Sequence, residues 1–105
     1  GYIPPLMVTT LLLSNSTDFD TWVHVRYMPT AKLAVTAQVV GKPRNMPLVK
    51  NSAWILQRIP IEKSKEAGVD EAILSDGDNL YEGLTSNFFV VRKGVVETAP
   101  YGVLE

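Results

Sequence analysis

Apolar and polar positions change period along this chain, and each change marks an element. From Leu6 to Leu13 the residues are apolar or β-branched with turn formers on both sides, which predicts a strand. Asn15 to Asp20 carries loop chemistry. Between Trp22 and Met28, Trp, His, Arg and Met alternate with Val, Val and Tyr, a period of two that predicts a second strand ended by Pro29. Leu33 to Val40 is a third β-rich run. Gly41 closes it, and the two prolines of the segment Lys42 to Pro47 keep the chain extended or turned.

At Ser52 the period becomes helical. Ser52 is a candidate N-cap, and Trp54, Ile55, Arg58 and Ile59 recur at helical spacing until Pro60 interrupts. Pro60 suits the first turn of a continuing segment, Ile61 to Ala67, which Gly68 stops. The expectation is two short helical pieces or one kinked helix. Glu71 to Ser75 then reads as a buried strand, Asp76 to Asn79 as a tight turn and Leu80 to Leu84 as the returning strand. Phe88 to Arg92 is another strand, which turns at Lys93-Gly94 into Val95 to Thr98. The pattern predicts an α+β class: a short or kinked helix followed by an antiparallel β meander.

Composition narrows the function classes. The chain has 105 residues, 46% apolar and 20% charged, the balance of a globular domain or of part of a larger one. Ten Lys and Arg against 11 Asp and Glu leave no basic footprint for nucleic acid or an acidic membrane surface. Cysteine is absent, which removes disulfide scaffolds, Cys-based zinc sites and thiol nucleophiles. One histidine, His24, argues against a Ser-His-Asp triad or a multi-histidine metal site; it reads as a half-exposed strand residue sharing a face with Arg26. The apolar run Ile3 to Leu13 is too short to span a bilayer, and no basic region precedes it. With no targeting segment in view, a cytoplasmic location is the expectation. Asn15-Ser16-Thr17 matches the glycosylation sequon, a triplet common by chance.

Two places suggest chemistry. The acidic turn Asp76-Gly77-Asp78-Asn79, with Glu82 close behind, invites calcium, but its ligands do not follow the twelve-residue EF-hand spacing, and a hairpin turn explains them without metal. The other is a pairing. Lys50 stands just before the helical segment among apolar Leu48, Val49, Ala53 and Trp54. Glu82 sits inside an otherwise apolar strand. A lysine in apolar surroundings loses basicity and attacks carbonyls as an amine, whereas a carboxylate embedded in a strand requires a cationic partner. The plainer reading is a snorkelling Lys50 and an ordinary ion pair at Glu82. Lys42 and Arg44 read first as a solvated loop.

The segments Lys50-Asn51-Ser52-Ala53-Trp54 and GVDEAILSDGDNLYEGLTSNFFVV (Gly68 to Val91) resemble the class IV aminotransferases, the fold-type IV pyridoxal-phosphate enzymes. That family includes branched-chain and D-amino-acid aminotransferases and aminodeoxychorismate lyase. The second segment is similar to its G-x-D-E-A-[IL]-L…E-G-x-x-S-N-x-F signature, in order and without gaps, and the wording is most similar to divergent eukaryotic members. The resemblance covers residues 33 to 100 well and residues 1 to 30 loosely.

The resemblance implies roles for particular residues. Lys50 falls at the lysine that holds pyridoxal 5'-phosphate as an imine and shuttles a proton. Glu82 falls at the carboxylate facing the cofactor's ring nitrogen. Thr85, Ser86 and Asn87 fall in the loop beside the cofactor, with a hydroxyl or backbone contact from Thr85 and a structural role for Asn87. Arg44 is a candidate contact for a substrate carboxylate. Where many members carry asparagine or tyrosine soon after the lysine, this chain has Ala53, Trp54 and Ile55. The family's phosphate-binding loop and arginine would fall beyond Glu105 and before Gly1.

The implied protein is therefore a longer, homodimeric enzyme acting on a small amino acid or 2-oxo acid, with no nucleic-acid or membrane partner. Residues 1–30 would end its small N-terminal domain, and residues 31–105 would be the linker and first half of its large cofactor-binding domain. Transamination is the implied activity. A lyase of the aminodeoxychorismate type and a non-catalytic relative serving as an interaction module are the alternatives.

Overall fold

The computed structural model describes residues 1–45 and 52–100, and the chain divides into two compact units, Gly1–Leu33 and a second starting at Ala34.

The first unit is a hairpin. Strands β1 (Leu6–Ser14) and β2 (Phe19–Tyr27) pair antiparallel from Leu6↔Tyr27 to Ser14↔Phe19. The second strand starts earlier than its alternation predicts, inside the expected loop. The reason is Asn15: its carboxamide oxygen accepts the N–H groups of Thr17 at 3.0 Å and Asp18 at 2.7 Å. That Asx turn closes the reversal quickly and frees Phe19 and Asp20 to pair.

In the second unit, β3 (Ala37–Val39), β4 (Glu71–Ser75) and β5 (Leu80–Gly83) form a sheet with β4 in the middle. Strand β3 runs parallel to β4, and β5 antiparallel to it. A parallel pair requires a crossover, and helix α1 (Ala53–Ser64) lies in that connection. Strands β6 (Phe89–Arg92) and β7 (Val95–Thr98) make a separate hairpin. The second half is thus α+β, but not the continuous meander that the sequence pattern predicts. Alternation marks which segments are strands, whereas partners depend on where the crossover returns the chain. The expected third run also shrinks: Leu33 and Val35 are exposed, and Thr36 is occupied by backbone bonds from Asp70 at 2.8 Å and Glu71 at 3.2 Å.

Helix α1 departs from its expectation in two ways. It runs through Pro60 as one element, and Ser52 does not cap it with its side chain; Ser52 is itself helical, and its carbonyl accepts the Ile55 N–H at 3.0 Å. The half-buried residues are Trp54, Arg58 and Ile61, while Ile55 and Ile59 are exposed. That stripe at i, i+4 and i+7 faces the sheet. Ala72, Leu74 and Leu84 are the buried core, with Val40, Trp54 and Ile61 packed against them. No helix among the described residues is long and apolar enough to cross a membrane.

Candidate active site

Glu82 is the one charged residue among the buried positions described, 4% exposed in the middle of β5. Strand alternation turns it inward beside the core. Its partner comes from the loop after β3. Val40 extends the parallel ladder by donating to the Ile73 carbonyl at 2.9 Å, and Gly41 then reverses the chain at φ +90. That left-handed turn is open to glycine at little steric cost. Pro43 follows, and Arg44 reaches back over the sheet.

The guanidinium of Arg44 donates from Nε to Glu82 Oε1 at 2.6 Å and from Nη2 to Oε2 at 3.4 Å. Both side chains are 5% exposed, so the pair is desolvated as well as two-pronged. Removing one partner from such a pair strands a buried charge, at a cost of about 3–5 kcal/mol. Trp54 of α1 lies against Arg44, its ring centroid 4.9 Å from the guanidinium carbon. The Trp54 indole N–H in turn donates to the Leu84 carbonyl at 3.3 Å.

The turn that follows Glu82 wraps around a second carboxylate, Glu71. Its Oε1 accepts the N–H groups of Ala72 at 2.9 Å and Leu84 at 3.1 Å. Its Oε2 accepts the Thr85 N–H at 3.3 Å and the hydroxyls of Thr85 at 2.9 Å and Ser86 at 2.8 Å. Gly83 donates to the Ser86 carbonyl at 2.7 Å, and a Cβ at Gly83 would lie 2.5 Å from Ser86 Oγ and 3.0 Å from Glu71 Oε2. Only glycine fits that approach. Burial pushes the Glu71 carboxyl pKa up, but the hydrogen bonds from Ser86, Thr85 and Ala72 together outweigh it and hold the group below 4.5.

Of the residues singled out from the sequence, Glu82, Thr85 and Ser86 thus lie in one network, with Arg44 inside it. Arg44, expected in a solvated loop, instead has a side chain only 5% exposed and is the cation that the Glu82 carboxylate requires in an apolar strand. The hydroxyls of Thr85 and Ser86 are turned onto Glu71. Asn87 follows the turn and is exposed. Lys50 lies outside the described residues. His24 is exposed on β2, opposite Thr9. Two members of the network, Glu71 and Trp54, were not apparent as site residues. The signal that could have found Glu71 is the set of hydroxyls and amides clustered after Glu82, donors that a carboxylate would satisfy.

The acidic turn is organised around Asp76, with the Ser75 hydroxyl oxygen accepting the Gly77 N–H at 2.9 Å. The Asp76 carboxylate accepts the N–H groups of Asp78 at 3.0 Å and Asn79 at 2.8 Å, and the hydroxyl of Tyr81. A groove of about 730 Å³ opens nearby, lined by Asp78, Tyr81, Phe88, Arg92, Glu97 and Pro100 among others; neither Arg44 nor Glu82 lines it.

The contact that the resemblance implies for Glu82 asks for one open acceptor site on its carboxylate. Each carboxylate oxygen has two acceptor sites, and Arg44 holds Oε2 by a long bond, which leaves that oxygen capacity for one more N–H. Searches against protein families, characterised proteins and solved structures found no match to this chain.

Proposed function

We propose that the protein is a pyridoxal-phosphate-dependent enzyme of the fold-type IV kind, transferring an amino group between an amino acid and a 2-oxo acid. The observation that carries this reading is the buried Glu82, charge-balanced by Arg44 and followed directly by the tight Gly83–Ser86 turn. Glu82 and that turn fall within the segment Gly68 to Val91, which resembles the class IV aminotransferases.

When bound, pyridoxal phosphate supplies an electron sink that stabilises negative charge at the substrate α-carbon. Lys50 would hold the cofactor through its amine and carry a proton at Nζ. Glu82 would face the cofactor's ring nitrogen, while Arg44 keeps its carboxylate aligned and neutralises it. Trp54 backs the Arg44 guanidinium, and both members of the pair are shielded from water.

The test uses the full-length protein: incubation with pyridoxal phosphate, borohydride reduction, intact mass and peptide mapping. A single reduced adduct on Lys50, lost in Lys50→Ala, is the expected result. A second reading, a non-catalytic relative that keeps the fold for interaction, draws on the same pair: Arg44 engages both Glu82 oxygens, as a purely architectural ion pair also does. Scattered adducts, or none on Lys50, would leave that second reading standing.

A further inference from the structure

The charged side chains around β4 and β5 form a closed circuit. Glu71 fixes the Leu84 N–H at 3.1 Å, and the Leu84 carbonyl receives the Trp54 indole at 3.3 Å. The indole lies on Arg44, and Arg44 holds Glu82, which the chain joins back to Leu84 through Gly83 alone. Leu84 is the hinge of this circuit. Its N–H is shared between Glu71 and the Ala72 carbonyl at 3.0 Å, and its side chain is 2% exposed in the core. A small movement of the Gly83–Ser86 turn would therefore displace the indole, and the guanidinium with it.

We infer that Glu71 is a positioning residue: its carboxylate clamps the turn after Glu82 and, through Leu84 and Trp54, sets how Arg44 presents the Glu82 carboxylate to the cofactor's ring nitrogen. The inference deepens the cofactor reading and rests on it for what Glu82 faces. Glu71 touches neither reacting atoms nor cofactor in this role. The donor set explains why a carboxylate is required. Backbone N–H groups from Ala72 and Leu84 point at one oxygen and that of Thr85 at the other, and these cannot turn round to accept. A glutamine would present its NH₂ to at least one of them, leaving that donor unsatisfied.

The experiment uses full-length protein in a Trp22→Phe background, which leaves Trp54 as the sole tryptophan in the sequence described here. Glu71→Gln and Ser86→Ala are compared with the parent by three measurements. These are amide hydrogen exchange at Leu84 and Thr85, the indole N–H resonance of Trp54, and the pH titration of absorbance after loading with pyridoxal phosphate. Ser86→Ala preserves the charge of Glu71 and all the backbone donors, so a response shared by both variants is one of position and not of lost charge.

The expected result is amide exchange faster by about tenfold in Glu71→Gln. In both variants the Trp54 resonance moves, and the chromophore titration shifts by about half a pH unit or more. Faster exchange with an unmoved indole resonance and titration would overturn the inference, because Glu71 would then brace only its own turn. If the parent takes up no pyridoxal phosphate, the cofactor reading falls and with it the role of Glu71 toward the ring nitrogen; the indole resonance then reports only whether Glu71 positions Arg44. If Glu71→Gln does not fold, Ser86→Ala decides by the same readouts.

Discussion

Asp76 is fully exposed, yet the Tyr81 hydroxyl and the Asn79 amide hold its carboxyl down to about 2, from an ordinary 3.8. The same contact pushes the Tyr81 phenol above 10.0, because only the neutral phenol donates to Asp76. A depressed carboxyl binds its proton less readily when folded than when unfolded. Its contribution to stability is therefore complete above about pH 4 and is lost as pH falls toward 2. Tyr81→Phe is expected to raise the Asp76 midpoint toward 3.8, read from the pH dependence of its side-chain carboxyl carbon by NMR. An unchanged midpoint would mean that the backbone donors of the turn suffice. At this scale the sequence was informative wherever a residue's need is local. The Asx chemistry of Asp76 and the requirement of Glu82 for a cation both follow from residue type and neighbours. That Arg44 meets that need depends on the fold, since it reaches Glu82 only after the left-handed turn at Gly41.

Elements were legible in their existence more than in their pairing or facing. Strands β4 and β7 lie where alternation and turn residues put them, and β5 and β6 differ from expectation at an end. Nothing in the alternation says that β4 takes a parallel neighbour, because that follows from α1 carrying the chain across. The covered helix face differs from the expected one for a related reason. Ile55 and Ile59 are as apolar as Ile61, and only the position of the sheet decides which stripe is covered. Gly41 is where these elements lock: a Cβ there would stand 2.9 Å from Leu74 Cδ2 and 3.1 Å from Ile61 Cγ2. Gly68 also has a positive φ, +86, but open space around it. Both substitutions by alanine carry the backbone penalty of about 1 kcal/mol, and only Gly41→Ala adds overpacking of about 1–3 kcal/mol. Urea unfolding of the full-length protein is expected to place Gly41→Ala clearly below Gly68→Ala. Equal midpoints would mean that Leu74 and Ile61 yield without cost.

At the scale of the molecule, the two units differ in what holds them. In the second unit β4 is paired on both sides, with Ala72 and Leu74 fully buried. In the first unit, pairing puts Leu6, Val8, Leu12, Phe19, Val23, Val25 and Tyr27 on one face of the ribbon, and all of them are exposed. A two-stranded hairpin without a covered face is marginal in water, however good its register. The alternation that made both strands legible identifies an apolar face, but only a covering layer turns such a face into stability. Hydrogen exchange on the 105-residue chain separates the two cases. Amides of β1 and β2 are expected to exchange far faster than those of Ala72 and Leu74, and threonine at Leu12, Val23 and Val25 is expected to reduce binding of an apolar dye. Equal protection in both units would mean that the hairpin's apolar face is covered in solution, and that its stability comes from that cover and not from the ribbon.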